Sequence, residues 1–142
     1  MNLSRTAFVT FFPIKPDNMG SSAVVNSRFT NWPTKKKLFQ ISHIKKLNNK
    51  NIETIFIKKE TPLRKIFSLP KITFKIFQYL KKSEKKNIVL EGASWIFYSF
   101  FIIFFLKIFL SKVKIIYISH GIESEIRKKY SKILIFIITK IF

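Results

Sequence analysis

Residues 88–106 read Ile88-Val89-Leu90-Glu91-Gly92-Ala93-Ser94-Trp95-Ile96-Phe97-Tyr98-Ser99-Phe100-Phe101-Ile102-Ile103-Phe104-Phe105-Leu106, and the way this stretch folds decides the class of the protein. Ile88–Leu90 is a short, wholly apolar run bounded by polar residues, the pattern of a strand buried on both faces. Fifteen residues without a charge follow, Gly92 to Leu106. As a helix they span about 22 Å, short of the roughly 30 Å of a bilayer's hydrocarbon core. A snorkelling Lys107 would extend the segment to Leu110 and let it just span. Two readings stand: a crossover helix covering a parallel sheet, or the hydrophobic helix, at 92–110, of a small basic integral membrane protein. The length favours the crossover.

The same strand-then-helix alternation runs outward in both directions. Toward the N-terminus, Ala7-Phe8-Val9-Thr10-Phe11-Phe12 reads as a strand stopped by Pro13. It is too short, and too poor in a cleavage signature, for a secretory leader. Lys15 to Gly20 is a loop, and Ser21-Ser22 are candidate N-cap hydroxyls for a helix through Phe29, ended before Pro33. Leu38–Ile41 and Ile52–Ile57 read as strands, with Asn48–Asn51 turning between them. Leu69, Ile72, Ile76 and Leu80 recur at helical spacing. On the C-terminal side, Val113–Ile118 is a fifth strand, and Glu123 onward a final helix. Such alternation predicts an α/β fold: a Rossmann-like parallel sheet of about five strands with helices on both faces. Ala7–Phe12, Ile88–Leu90 and Val113–Ile118 are expected at its centre.

Composition narrows the possibilities. The 142 residues allow one domain, and 47% hydrophobic content is too high for a disordered chain. With no cysteine, disulfide scaffolds, thiolate metal sites and Cys nucleophiles fall away; two histidines make a zinc site improbable, and no cofactor is implied. The formal charge is +20, carried by 23 Lys and only 4 Arg beside 24 Ile and 17 Phe, a profile that A/T-rich codons produce by themselves. Scarce arginine, phenylalanines confined to apolar runs and the lack of a recognition motif argue against nucleic acid as a partner.

Ligands of open α/β sheets gather beyond the carboxyl ends of the strands. Three loops leave such ends, and they contain all three glycines of the chain, Gly20, Gly92 and Gly121. These glycines serve either turn geometry or the close approach of a ligand to backbone. Around them lie Asn18 and Ser21 in the first loop, Glu91 in the second, and His120 and Glu123 in the third. Glu123 is equally placed to cap the helix it opens. His43 has no comparable loop beside it and reads as structural. The spacing matches neither a P-loop nor a dinucleotide fingerprint.

Three stretches, residues 13–29, 88–106 and 114–131, together resemble the N-terminal, acceptor-side domain of retaining glycosyltransferases of the GT-B fold, the glycosyltransferase subfamily 4-like group. The most specific part is Ser119-His120-Gly121-Ile122-Glu123 after an apolar strand. The first loop departs from the family pattern, having Met19-Gly20-Ser21 where two adjacent glycines are usual. The resemblance implies that the Gly20 loop approaches the phosphates or sugar of a nucleotide-diphosphate donor and that His120 lies beside the transferred sugar as the catalytic residue. It implies a sugar, lipid-linked or envelope acceptor, no metal, and a second, donor-binding domain not found in these residues. The apolar run Ile135–Phe142, ending without a cap, points to a truncated chain, and such a fragment is expected to transfer little or no sugar alone. The expected location is cytoplasmic, with peripheral contact to the inner face of the cytoplasmic membrane through Lys71, Lys75, Lys81 and Lys82 around the Leu69–Leu80 stripe.

Overall fold

A computed structural model describes residues 4–15, 20–44, 49–91, 96–110 and 112–118. In chain order its elements are β1 (Ser4–Thr10), α1 (Gly20–Asn31), β2 (Lys35–Ser42), β3 (Ile52–Phe56), α2 (Pro62–Leu80), β4 (Lys85–Glu91), α3 (Ile96–Phe109) and β5 (Val113–Ile118). All strand pairs are parallel, in the order β3-β2-β1-β4-β5. The protein is therefore α/β, with a Rossmann-like sheet covered by helices on both faces.

The side-chain period of two assigns each strand residue to one layer. Ala7, Val9, Phe39, Ile41, Ile88 and Leu90 pack under α2 and α3 with Leu69, Ile72, Ile76, Ile102 and Leu106. Phe8, Leu38 and Val89, one residue out of phase, meet Val25 and Phe29 of α1 on the opposite face. The Leu69–Leu80 stripe expected at a membrane interface is thus buried in the core, because burying an apolar stripe against a sheet removes it from water as fully as a bilayer would. The 92–110 region contains a crossover helix of 14 residues joining β4 to β5. Among the described residues no helix is long and apolar enough to cross a membrane.

Several boundaries differ from the sequence expectation. β2 begins at Lys35, so the lysine run lies inside the strand. There the parallel ladder with Arg5–Ala7 continues, while Lys37 meets Glu53 at 3.0 Å and Lys36 donates to the Trp32 carbonyl at 2.9 Å. α2 starts at Pro62, seven residues before Leu69, behind a Thr61 cap whose hydroxyl accepts from the Arg64 N–H. Proline at the first helical position removes an N–H that would have no helical partner anyway. Ser22 is not a cap: it lies in the first turn of α1, and its hydroxyl donates to the Pro13 carbonyl at 2.9 Å. β5 occupies an edge and β1 the centre, since each crossover deposits its strand beside the last and β4 returns to the free side of β1. The final helix expected from Glu123 lies outside the described residues.

Candidate functional site

With every strand parallel, all carboxyl ends meet one edge of the sheet. From β1 the chain steps outward through β2 to β3, then returns to place β4 and β5 on the other side. The reversal falls between β1 and β4, the switch point at whose carboxyl side doubly wound sheets take their ligands. Val9 pairs with Leu90 there, and Glu91 pairs with Ile118, the last residue of β5.

The segment leaving β1 is fixed by its own polar contacts. The Ile14 N–H donates to the Gln40 side-chain oxygen at 3.2 Å, and the Gln40 amide donates to the Thr54 hydroxyl at 2.9 Å. Phe11 and Ile14 are fully buried, so the first part of the loop is anchored to the core. Gly20 opens α1, and a Cβ built on it would meet nothing within 4 Å. Neither crowding nor a left-handed backbone requires glycine there. The first turn of α1 directs its backbone N–H groups toward the carboxyl rim, where the positive end of the helix dipole suits an anion.

Two ionic clusters flank this switch point. On the α1 side, Nη1 of Arg28 donates to both carboxylate oxygens of Glu91, at 2.6 and 2.7 Å. The Glu91 side chain is fully buried while Arg28 remains 31% exposed, so the guanidinium connects a submerged carboxylate to solvent. On the α2 side, the buried Nζ of Lys65 donates to the Phe11 carbonyl at 2.8 Å and to Oε2 of Glu60 at 3.4 Å. Oε1 of Glu60 lies 2.9 Å from Nδ1 of His43, whose ring is half-exposed just beyond β2. The Tyr98 hydroxyl donates to the Pro62 carbonyl at 3.3 Å, and its ring meets Phe11 edge-on, tying α3 to the same end. Burial pushes the Tyr98 phenol above its ordinary value, so it stays a protonated donor at neutral pH.

Of the residues expected in the site, Gly20 and Ser21 begin α1, and Glu91 ends β4 rather than lying in a loop. Glu91 is buried against the Arg28 guanidinium instead of facing open solvent. Asn18, Gly92, His120, Gly121 and Glu123 lie outside the described residues. Sequence reasoning passed over Arg28, and it read His43 as structural; the structure pairs His43 with Glu60, which also accepts from Lys65. A signal for Lys65 existed: with Leu69, Ile72, Ile76 and Leu80 it continues the buried stripe by one turn, a position where a lysine needs partners. Among the described residues no three His, Cys, Asp or Glu side chains gather as a metal would require.

No family model, no curated protein and no solved structure matches this chain.

Proposed function

We propose that this chain is the acceptor-side lobe of a retaining glycosyltransferase that moves a sugar from a nucleotide-diphosphate donor to a saccharide, lipid-linked or envelope acceptor. The observation that carries the reading is the switch point between β1 and β4, where α1 begins at the carboxyl rim and Arg28, from the last turn of α1, holds the buried Glu91 at the end of β4. Backbone N–H groups and a guanidinium held by a buried carboxylate suit a diphosphate: both are preorganised donors toward negative charge. Glu91 is a positioning residue, fixing Arg28. His120, two residues beyond the end of β5 in the sequence, is the residue assigned to the transferred sugar. Closure of the cleft and full donor affinity require a second lobe, because transfer needs the leaving diphosphate neutralised in a water-poor site; this lobe alone is expected to hold the diphosphate weakly, at millimolar concentration.

Saturation-transfer NMR with nucleotide-diphosphate sugars of differing base and sugar tests the reading. Magnetisation reaching the donor in the wild type, and lost in Arg28→Gln, supports it; no transfer to any donor of the panel at millimolar concentration refutes it. The isolated lobe is expected to show no turnover in a radiolabelled sugar-transfer assay.

A further inference from the structure

On the side of α2 and α3 away from the sheet, large apolar side chains face water. Phe67 is 80% exposed, Phe109 65% and Phe74 59%, with Leu63, Phe104 and Ile108 also more than half exposed. Between the two helices runs a groove of about 350 Å³ walled by Phe74, Phe77, Phe101, Phe105 and Phe109. One polar atom in this lining, the buried Thr73 hydroxyl, has no hydrogen-bond partner. A patch of this kind on a soluble domain marks a surface that something covers.

Charge selects the occupant. Neither α2 nor α3 contains an acidic residue, while Arg64, Lys71, Lys81 and Lys107 are all exposed on them or at their ends. Lys81 extends over the Phe77 ring at 5.6 Å, its stem along apolar surface and its ammonium outward. Elsewhere the carboxylates Glu53, Glu60 and Glu91 are each held by a cation of the protein itself. A second copy of the chain would set the same cations against each other, in two molecules that each carry +20 overall, and a polyanionic nucleic acid would leave the phenylalanines without apolar partners. An anionic bilayer satisfies both demands: acyl chains for the aromatic face, phosphate headgroups for its cationic border.

We propose that the α2–α3 face docks on the interfacial zone of an anionic lipid bilayer, with the Phe-walled groove receiving an acyl chain. The surface differs from the Leu69–Leu80 stripe, which is core, and the proposal stands whether or not the glycosyltransferase reading holds.

Flotation of the full chain with phosphatidylcholine vesicles, with and without phosphatidylglycerol, tests it. The wild type is expected to float with the anionic vesicles at low salt and to be released as salt rises. Arg64→Gln/Lys71→Gln/Lys107→Gln is expected to lower partitioning on the order of a hundredfold, taking about a fivefold contribution from each cation. Phe74→Ser/Phe104→Ser, with circular dichroism used to check that the fold is retained, is expected to abolish flotation. A Phe74→Trp reporter should be quenched by lipids brominated along the acyl chain. Equal binding to neutral vesicles, no quenching, or a concentration-dependent dimer in sedimentation without vesicle binding would each overturn the proposal.

Discussion

Replacing Arg28 by methionine tests the α1 flank of the switch point most directly. The substitution keeps a flexible apolar stem on α1 and removes the guanidinium that contacts both oxygens of the buried Glu91 carboxylate. Breaking a buried pair from one side costs about 3–5 kcal/mol, because the remaining charge has lost its compensation. Arg28 is 31% exposed, so water reaches part of the space it leaves, and the lower end, about 3 kcal/mol, applies. At roughly 3–4 °C per kcal/mol for a domain of this size, that is a fall of about 10 °C in melting temperature. Glu91→Gln leaves the more exposed partner to hydrate and keeps a hydrogen-bond acceptor, so its cost is about 1 kcal/mol. The double substitution Arg28→Met/Glu91→Leu buries no charge and is expected to recover most of the loss. Urea unfolding of wild type, Arg28→Met, Glu91→Leu and the double variant closes the double-mutant cycle, with Glu91→Gln measured beside it. If Arg28→Met lies within about 1 kcal/mol of wild type, or the double variant is no more stable than Arg28→Met, the carboxylate does not depend on Arg28 and the argument fails.

Gly20→Ala meets nothing at its Cβ and is expected to raise stability by about 0.4–1 kcal/mol through the unfolded chain. Weaker nucleotide-sugar binding in the same variant supports close approach of a ligand, and unchanged binding removes Gly20 from the site. For Glu53, burial pushes the carboxyl up, but hydrogen bonds and charge from Lys75 and Lys37 outweigh it and hold the group below its ordinary value of 4.5. A lowered folded value stabilises above the unfolded one and is lost as pH falls through it. The stability gap between wild type and Glu53→Gln should therefore be full at neutral pH and close below about pH 4.5 in a thermal-melt series; a gap that widens in acid contradicts this sign. Lys112 has φ 58° in the turn between α3 and β5, so Lys112→Gly is expected to gain about 0.5–1 kcal/mol by relieving the left-handed backbone. A lower melting temperature would show that the lysine side chain matters more than the strain.

Local pattern carried the fold because the relevant physics is local. Val113–Ile118 is a strand in both accounts, and Leu69–Leu80 is helical in both, since period two and period 3.6 are properties of consecutive residues. Uninterrupted apolar strands alternating with crossover-length helices leave a parallel sheet as the arrangement that buries both faces. The start of α2 was less legible: Pro70 lies within it, and the cap that initiates it is Thr61, well upstream of the apolar stripe.

The sequence by itself determined a parallel α/β domain, and with it that the strand-to-helix connections leave from one carboxyl rim. Only the tertiary structure decided strand order, which made β1 central and β5 an edge, and with it the neighbours along that rim. Arg28 and Glu91 are 63 residues apart, Phe11 and Lys65 54 apart, and no periodicity relates such pairs. Their meeting depends on how helices cross the sheet and on which buried charges find compensation there. The same packing chose which face of α2 became core and which was left to water, since a helix apolar on more than one side has no local reason to prefer either.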